Sequence, residues 1–349
     1  MKKYPKTTVL ALLLLVFAGW SYSWTSTPYG HLDYRAAVSL HMLSFEHEYQ
    51  PDPDIDFRFK LPVNLVYTFS AMLPKNAVAK VEDRTIPGKG VDVPVRIYWP
   101  QTTASDAAPP VIVYFHGGGF VVGSVEIFDP LTRELADVAQ SIVVSVDYRL
   151  APRHPFPAAV DDSYAALQWA AANAAALGGD PDRLLVAGDS AGGNLSAVIA
   201  QMARDKGGPA LAGQIMYYPA TDLTNASYDS MQHFIDGYGL STEAKHAFNQ
   251  SYIGDVPESG RRNPYLSPLL ADSLAGLPPA LVITAGFDPL RDAGLAYAKR
   301  LKDEGIPTES ILYPQTIHGF MSIRLFSEQA QAMAATAAFV QGLGKSDRP

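Results

Sequence analysis

The chain contains no cysteine. That excludes disulfide bridges, a thiolate nucleophile and cysteine-ligated metals, and it leaves the redox compartment open. Charge is also scarce. Charged residues make up 18% of 349, with 27 Lys and Arg against 35 Asp and Glu, a net charge of −8. This deficit of basic residues argues against nucleic acid or an anionic membrane surface as a main partner. No internal repeat is visible. Hydrophobic residues make up 48%, enough for a sizeable core, and the length suits one α/β domain carrying a cap.

The apolar residues concentrate first at the N-terminus. Lys2, Lys3 and Lys6 precede the run Val9 to Trp20. A basic start followed by an apolar stretch is the pattern of a secretory signal peptide. The small-x-small sites, Val16-Phe17-Ala18 and Gly19-Trp20-Ser21, are only passable. With Trp20, Tyr22 and Trp24 as interfacial aromatics, residues 1–24 also read as a membrane anchor, although a span needs roughly 20 apolar residues. Both readings put the rest of the chain outside the cytoplasm, in the periplasm or medium or tethered to a membrane. A buried N-terminal helix is the weaker reading.

From Thr25 to about Lys89 no strong strand pattern appears. Arg35 to Phe45 and Leu61 to Leu73 have helical spacing, so residues 25–75 read as cap helices. His31, His41 and His47 lie near Glu46 and Glu48, but no metal-ligand spacing stands out. The pattern then changes. Val91 to Trp99 reads as an edge strand. Val111 to Phe115, Ser141 to Val146, Leu184 to Ala187, Gly213 to Tyr218, Ala280 to Thr284 and Ser310 to Tyr313 are short apolar runs. Between them lie helical stretches: Phe128 to Gln140, Ala158 to Ala176, Ala191 to Ala203, Asp292 to Gly305, and finally Ser327 to Val340. Such alternation implies a parallel sheet covered on both faces. Residues 219–262, rich in Tyr, Phe and Met, interrupt it as a cap insertion. The core is therefore split into 76–218 and 263–349.

Chemistry-bearing residues fall at the carboxyl ends of these strands, where ligands bind in such sheets. Gly188-Asp189-Ser190-Ala191-Gly192 stands between a strand and a helix, the context of a nucleophile elbow. His116-Gly117-Gly118-Gly119-Phe120 follows the strand Val111 to Phe115. Its bare N–H groups suit an oxyanion hole made by Gly117 and Gly118 with Ala191. Asp288 and His318 follow the last two strands. The order Ser, Asp, His is that of α/β hydrolases. Histidine titrates near pH ~6.5 and can take the serine proton, and a carboxylate on its other nitrogen fixes the tautomer. Asp292 is the rival carboxylate, better suited to the first turn of a helix. Phe120, Phe287, Phe320 and Met321 are candidate pocket-lining residues, with core packing as the alternative for each.

The segments His116 to Phe120, Asp147 to Pro152, His154 to Ala158, Gly188 to Asn194, Asp288 to Asp292 and His318 to Phe320 together resemble the hormone-sensitive-lipase-like (bacterial family IV) esterases. The match runs from about Val91 to Val340. The resemblance implies an α/β-hydrolase fold with an eight-stranded, mostly parallel sheet, helices on both faces and a helical cap. It implies a Ser190–Asp288–His318 triad, an oxyanion hole from the triple glycine, and short- to medium-chain carboxylic ester substrates without cofactor or metal. Arg153 and Ala293 stand where the family usually has glutamate. The N-terminal segment is similar to that of membrane-anchored arylacetamide deacetylases of the same superfamily. Alternatives are a deacetylase or amidase acting on arylamides or acetylated sugars, a phospholipase and, least favoured, a non-catalytic small-ligand receptor. Whether the chain forms a homodimer is open.

Overall fold

The computed structural model describes residues 19–42, 75–101, 107–235, 237–254 and 256–343. The apolar run before residue 19 and the helical pattern of 61–73 lie outside them, as do His47, Glu46 and Glu48. Among the described residues no helix is long and apolar enough to cross a membrane, and no cluster of His, Asp or Glu could hold a metal ion.

A small hairpin, β1 (Ser26–Thr27) with β2 (Gly30–His31), and the helix α1 (Tyr34–Met42) precede the main sheet. The sheet has eight strands. They are β3 (Lys80–Pro87), β4 (Asp92–Trp99), β5 (Val111–Phe115), β6 (Ile142–Val146), β7 (Leu184–Asp189), β8 (Gly213–Tyr217), β9 (Ala280–Phe287) and β10 (Thr308–Ile317). The spatial order is β10-β9-β8-β7-β5-β6-β4-β3, and only β4 runs against the others. Every residue of β5 through β9 is buried. Continuous apolar runs are what a strand covered on both faces requires.

Among the described residues, six helices cover this sheet or link its strands: α2 (Asp129–Val138), α3 (Ala158–Asn173), α4 (Ala191–Asp205), α5 (Asp229–Phe234), α6 (Thr242–Ile253) and α7 (Arg291–Asp303); α8 (Ser327–Gly342) follows the last strand. Alternate strand residues feed two cores. Val111, Val113 and Phe115 pack with Leu167 of α3, Leu195 of α4 and Tyr297 of α7. Ile112 and Tyr114 pack on the other face with Leu135 of α2, Met333 of α8 and Ala36 of α1. In the 219–262 segment the described residues include α5 and α6.

Strands depart from the sequence reading in three places, the first being β9, which runs on from Thr284 to Phe287. The edge is β3, not β4. Among its residues only Ile86 is buried, and Lys80, Glu82, Asp83 and Arg84 break the apolar pattern. Charge on an edge strand deters further pairing and hides the strand from a periodicity reading. The pairing is set across the ladder instead, where Arg96 of β4 donates to Asp83 at the paired position. The third departure is β10, which runs on to Ile317 past an irregularity between Tyr313 and Ile317. That bulge delivers His318.

Candidate active site

The sheet order reverses at β5, with β6 on one side and β7 on the other. Phe115 and Gly188 are paired in register, so the loops leaving β5 and β7 emerge side by side. Such a switch point is where an open α/β sheet presents its binding crevice.

Ser190 turns the chain from β7 into α4 with φ 55° and ψ −115°. A positive φ is strained for a residue with a side chain and persists only where the surroundings enforce it. They do so here. A Cβ on Gly188 would collide with the Gly192 carbonyl, and one on Gly192 with the Phe115 carbonyl. The flanking glycines thus permit a turn too tight for other residues, and the serine is lifted to the sheet end at the helix N-terminus.

Ser190 Oγ lies 2.9 Å from His318 Nε2. His318 Nδ1 lies 2.8 Å from Asp288 Oδ2. The carboxylate can only accept, so Nδ1 carries the ring proton and Nε2 is left to accept from the serine hydroxyl. Asp288 is fully buried, and its Oδ1 accepts from the Leu290 N–H at 2.8 Å. Burial alone would push the His318 pKa down. The charge and hydrogen bond of Asp288, with a further contribution from Asp189, outweigh this and raise it. Asp292 faces elsewhere. It accepts from Arg291 Nε and the Ser230 N–H, both at 2.8 Å. Burial works to raise its pKa, and these donors hold it below the usual carboxylate value.

The loop after β5 corrects one sequence expectation. The Gly117 N–H donates to Asp189 Oδ1 at 2.8 Å, so it is already engaged. The Gly118 N–H has no protein acceptor among the described residues, nor does that of Gly119. Gly118 adopts φ 116° and Gly119 φ 61°. The Gly118 carbonyl accepts from the N–H groups of Val121 and Val122, which curls the loop into a tight turn. With Ala191 at the first position of α4, Gly118 and Gly119 carry the loop amides that no protein acceptor engages among the described residues. Only the partner of the first amide separates them from Gly117, and no spacing in the sequence reveals that partner.

The four aromatic and methionine candidates are packed rather than open. Phe320 and Met321 have no accessible surface, and Phe120 and Phe287 have 3% each. The Phe120 ring stacks on Tyr252 of α6 at 3.8 Å. Phe287 packs against Phe234 and Tyr238, and Phe320 against Tyr218 and Tyr313. Core packing accounts for all four. Sequence reasoning missed Asp189 and Phe248. Asp189 is an acidic residue closing an otherwise apolar strand, a usable signal. Phe248 of α6 lies against Gly119, which only the fold reveals.

A family model described as the alpha/beta hydrolase fold matches residues 112–322. A carboxylesterase of Mycobacterium tuberculosis is 47% identical over 249 residues, 70% of this chain and 77% of its own. The chain is a hormone-sensitive-lipase-like α/β hydrolase. It is a carboxylic ester hydrolase acting on small-molecule esters. An arylesterase of Saccharolobus solfataricus is 39% identical over 262 residues, 75% of this chain and 83% of the relative. Among solved structures, a hyperthermophilic esterase from Pyrobaculum calidifontis is 42% identical. It superposes with a TM-score of 0.74 over 80% of this hydrolase and 90% of its own chain.

Proposed function

We propose that the hydrolase cleaves short- to medium-chain carboxylic esters through an acyl-serine intermediate, with Ser190, His318 and Asp288 as the triad. The observation that carries this reading is the unbroken chain of contacts, Ser190 Oγ to His318 Nε2 at 2.9 Å and His318 Nδ1 to Asp288 at 2.8 Å. His318 takes the serine proton as Oγ attacks the acyl carbon. The tetrahedral oxyanion receives the N–H groups of Gly118, Gly119 and Ala191. The alcohol leaves with the proton from His318, and water then repeats the sequence on the acyl-enzyme. The arylesterase relative supports aryl esters as one class of substrate. Ser190→Ala is expected to abolish hydrolysis of p-nitrophenyl butyrate in a protein with unchanged circular dichroism; retained turnover would overturn the nucleophile assignment.

The 25–75 and 219–262 segments are proposed as the cap over this site, a reading supported for 219–262 by the packing of Phe248 and Tyr252 of α6 on the oxyanion loop. An exported or membrane-tethered location is likewise proposed. It rests on Lys2, Lys3 and Lys6 before the apolar run and on Trp20 at its end and Tyr22 beyond it, which are 60% and 65% exposed. Fractionation of cells expressing the full chain tests it: recovery wholly in the cytoplasm would overturn it.

A further inference from the structure

Asp189 is a carboxylate in a place that resists one. It is 3% exposed, it adjoins the nucleophile, and its negative charge opposes the oxyanion that must form nearby. A buried carboxylate needs partners that hold it. Its Oδ1 accepts from the Tyr114 hydroxyl at 2.6 Å and from the Gly117 N–H at 2.8 Å. The loop is packed directly on it, since a Cβ at Gly117 would collide with the carboxylate.

Other hydrogen bonds also tie the loop. The Tyr148 hydroxyl donates to the His116 carbonyl at 2.7 Å, and the Phe120 carbonyl accepts from the Ala151 N–H at 2.9 Å. Both reach the segment that follows β6. The bond to Asp189 differs in kind, because it joins the loop to the residue immediately before Ser190. It therefore keys the Gly118 and Gly119 amides to the nucleophile itself.

We infer that Asp189 is a positioning residue of the oxyanion loop: its buried carboxylate, fixed by Tyr114, holds the Gly117 N–H and thereby registers the Gly118 and Gly119 donors against Ser190. This rests on the oxyanion reading proposed above. The groups facing Asp189 are Tyr114 on β5, Tyr148 after β6, Tyr217 on β8 and His318 after β10, besides the Gly117 amide. The charge of Asp189 works to raise the pKa of His318, as it does those of the three tyrosines.

The test compares full-length wild type with Asp189→Ala, Asp189→Asn and Tyr114→Phe. The readouts are kcat, KM and pH profile on p-nitrophenyl butyrate, and the rate of phosphonylation by a p-nitrophenyl alkylphosphonate. Asp189→Ala is expected to lose about 10²-fold in kcat, the scale of losing one oxyanion donor, with KM little changed and phosphonylation slowed equally. Asp189→Asn keeps an acceptor at Oδ1 and should recover about tenfold or more of that loss. Its acid limb should also move to lower pH, because the charge facing His318 is gone. A folded Asp189→Ala with near-wild-type kcat overturns the inference, and so does a loss equal in the two Asp189 variants. Where Asp189→Ala does not fold, Tyr114→Phe decides: a several-fold fall in kcat at unchanged KM supports the inference, and wild-type kcat overturns it. Failure of wild type to hydrolyse the ester or to be phosphonylated would instead overturn the ester-hydrolysis reading.

Discussion

His318 works between two carboxylates of unequal reach. Asp288 touches its ring and Asp189 acts from the end of β7, and together they raise its pKa despite burial. A base with a raised pKa stays protonated to higher pH. The acid limb of kcat/KM is therefore expected above the ordinary histidine value of about 6.5, and a limb below that value would contradict the arrangement. Asp288→Asn should cost about 10³- to 10⁴-fold in kcat by presenting the wrong tautomer to the ring. Asp292→Asn keeps its place on the Ser230 N–H and should cost less than about tenfold, since no triad contact is touched. Steady-state kinetics on the two variants ranks them, and the reverse order would exchange their roles. Asp288 was readable because it lies close behind a strand. The engagement of the Gly117 amide was not, because it depends on a hydrogen bond across 72 positions of sequence.

At the scale of elements, the strands β5 to β9 were legible as continuous apolar runs because each is buried on both faces. β3 was not, since an edge strand with one buried residue has no period to read. The bulge in β10 carries no pattern of its own, yet it brings His318 to the site. The Asp147 to Pro152 segment illustrates a motif whose purpose only the fold explains. Arg149 binds Asp162 of α3 through two of its nitrogens and its own N–H, all within 3.1 Å, and Asp162 has no accessible side chain. This pair fastens the end of β6 to α3. Arg149→Ala strands a buried carboxylate, and a loss of about 3–5 kcal/mol is expected. The double variant Arg149→Ala, Asp162→Ala should recover part of it. Denaturant titration measures both. A single variant losing under about 1 kcal/mol, as an exposed pair would, would show that the tie does not hold the strand end.

Across the whole molecule, stability and activity answer to pH in opposite directions. The Asp189 pKa is raised by burial to about 6, against the bonds from Tyr114 and Gly117 and the charge of His318. Between that value and the unfolded carboxylate range, the folded state binds a proton that the unfolded chain does not. Stability from this group therefore rises as pH falls through about 6. His318, raised by Asp288, has the same sign: its contribution is fully present below the unfolded histidine pKa and is lost as pH rises through the folded one. Asp129 and Asp292 act oppositely. Burial favours their protonation, but Lys75 and Arg133 hold the first low and Arg291 and Ser230 the second. Their contribution is present above the unfolded carboxylate pKa and is lost as pH falls through their lowered values. The two sets bracket a stability maximum between about pH 4 and 6. Catalysis needs His318 neutral and so lies above that window. The temperature of unfolding, measured from pH 4 to 9, is expected to peak on the acid side of the kcat/KM plateau. Asp189→Asn, with no buried charge to form, should flatten the decline in unfolding temperature above pH 6. A wild-type peak coinciding with the activity plateau, or an unaltered decline in the variant, would show that the buried carboxylate does not govern the fold's response to pH.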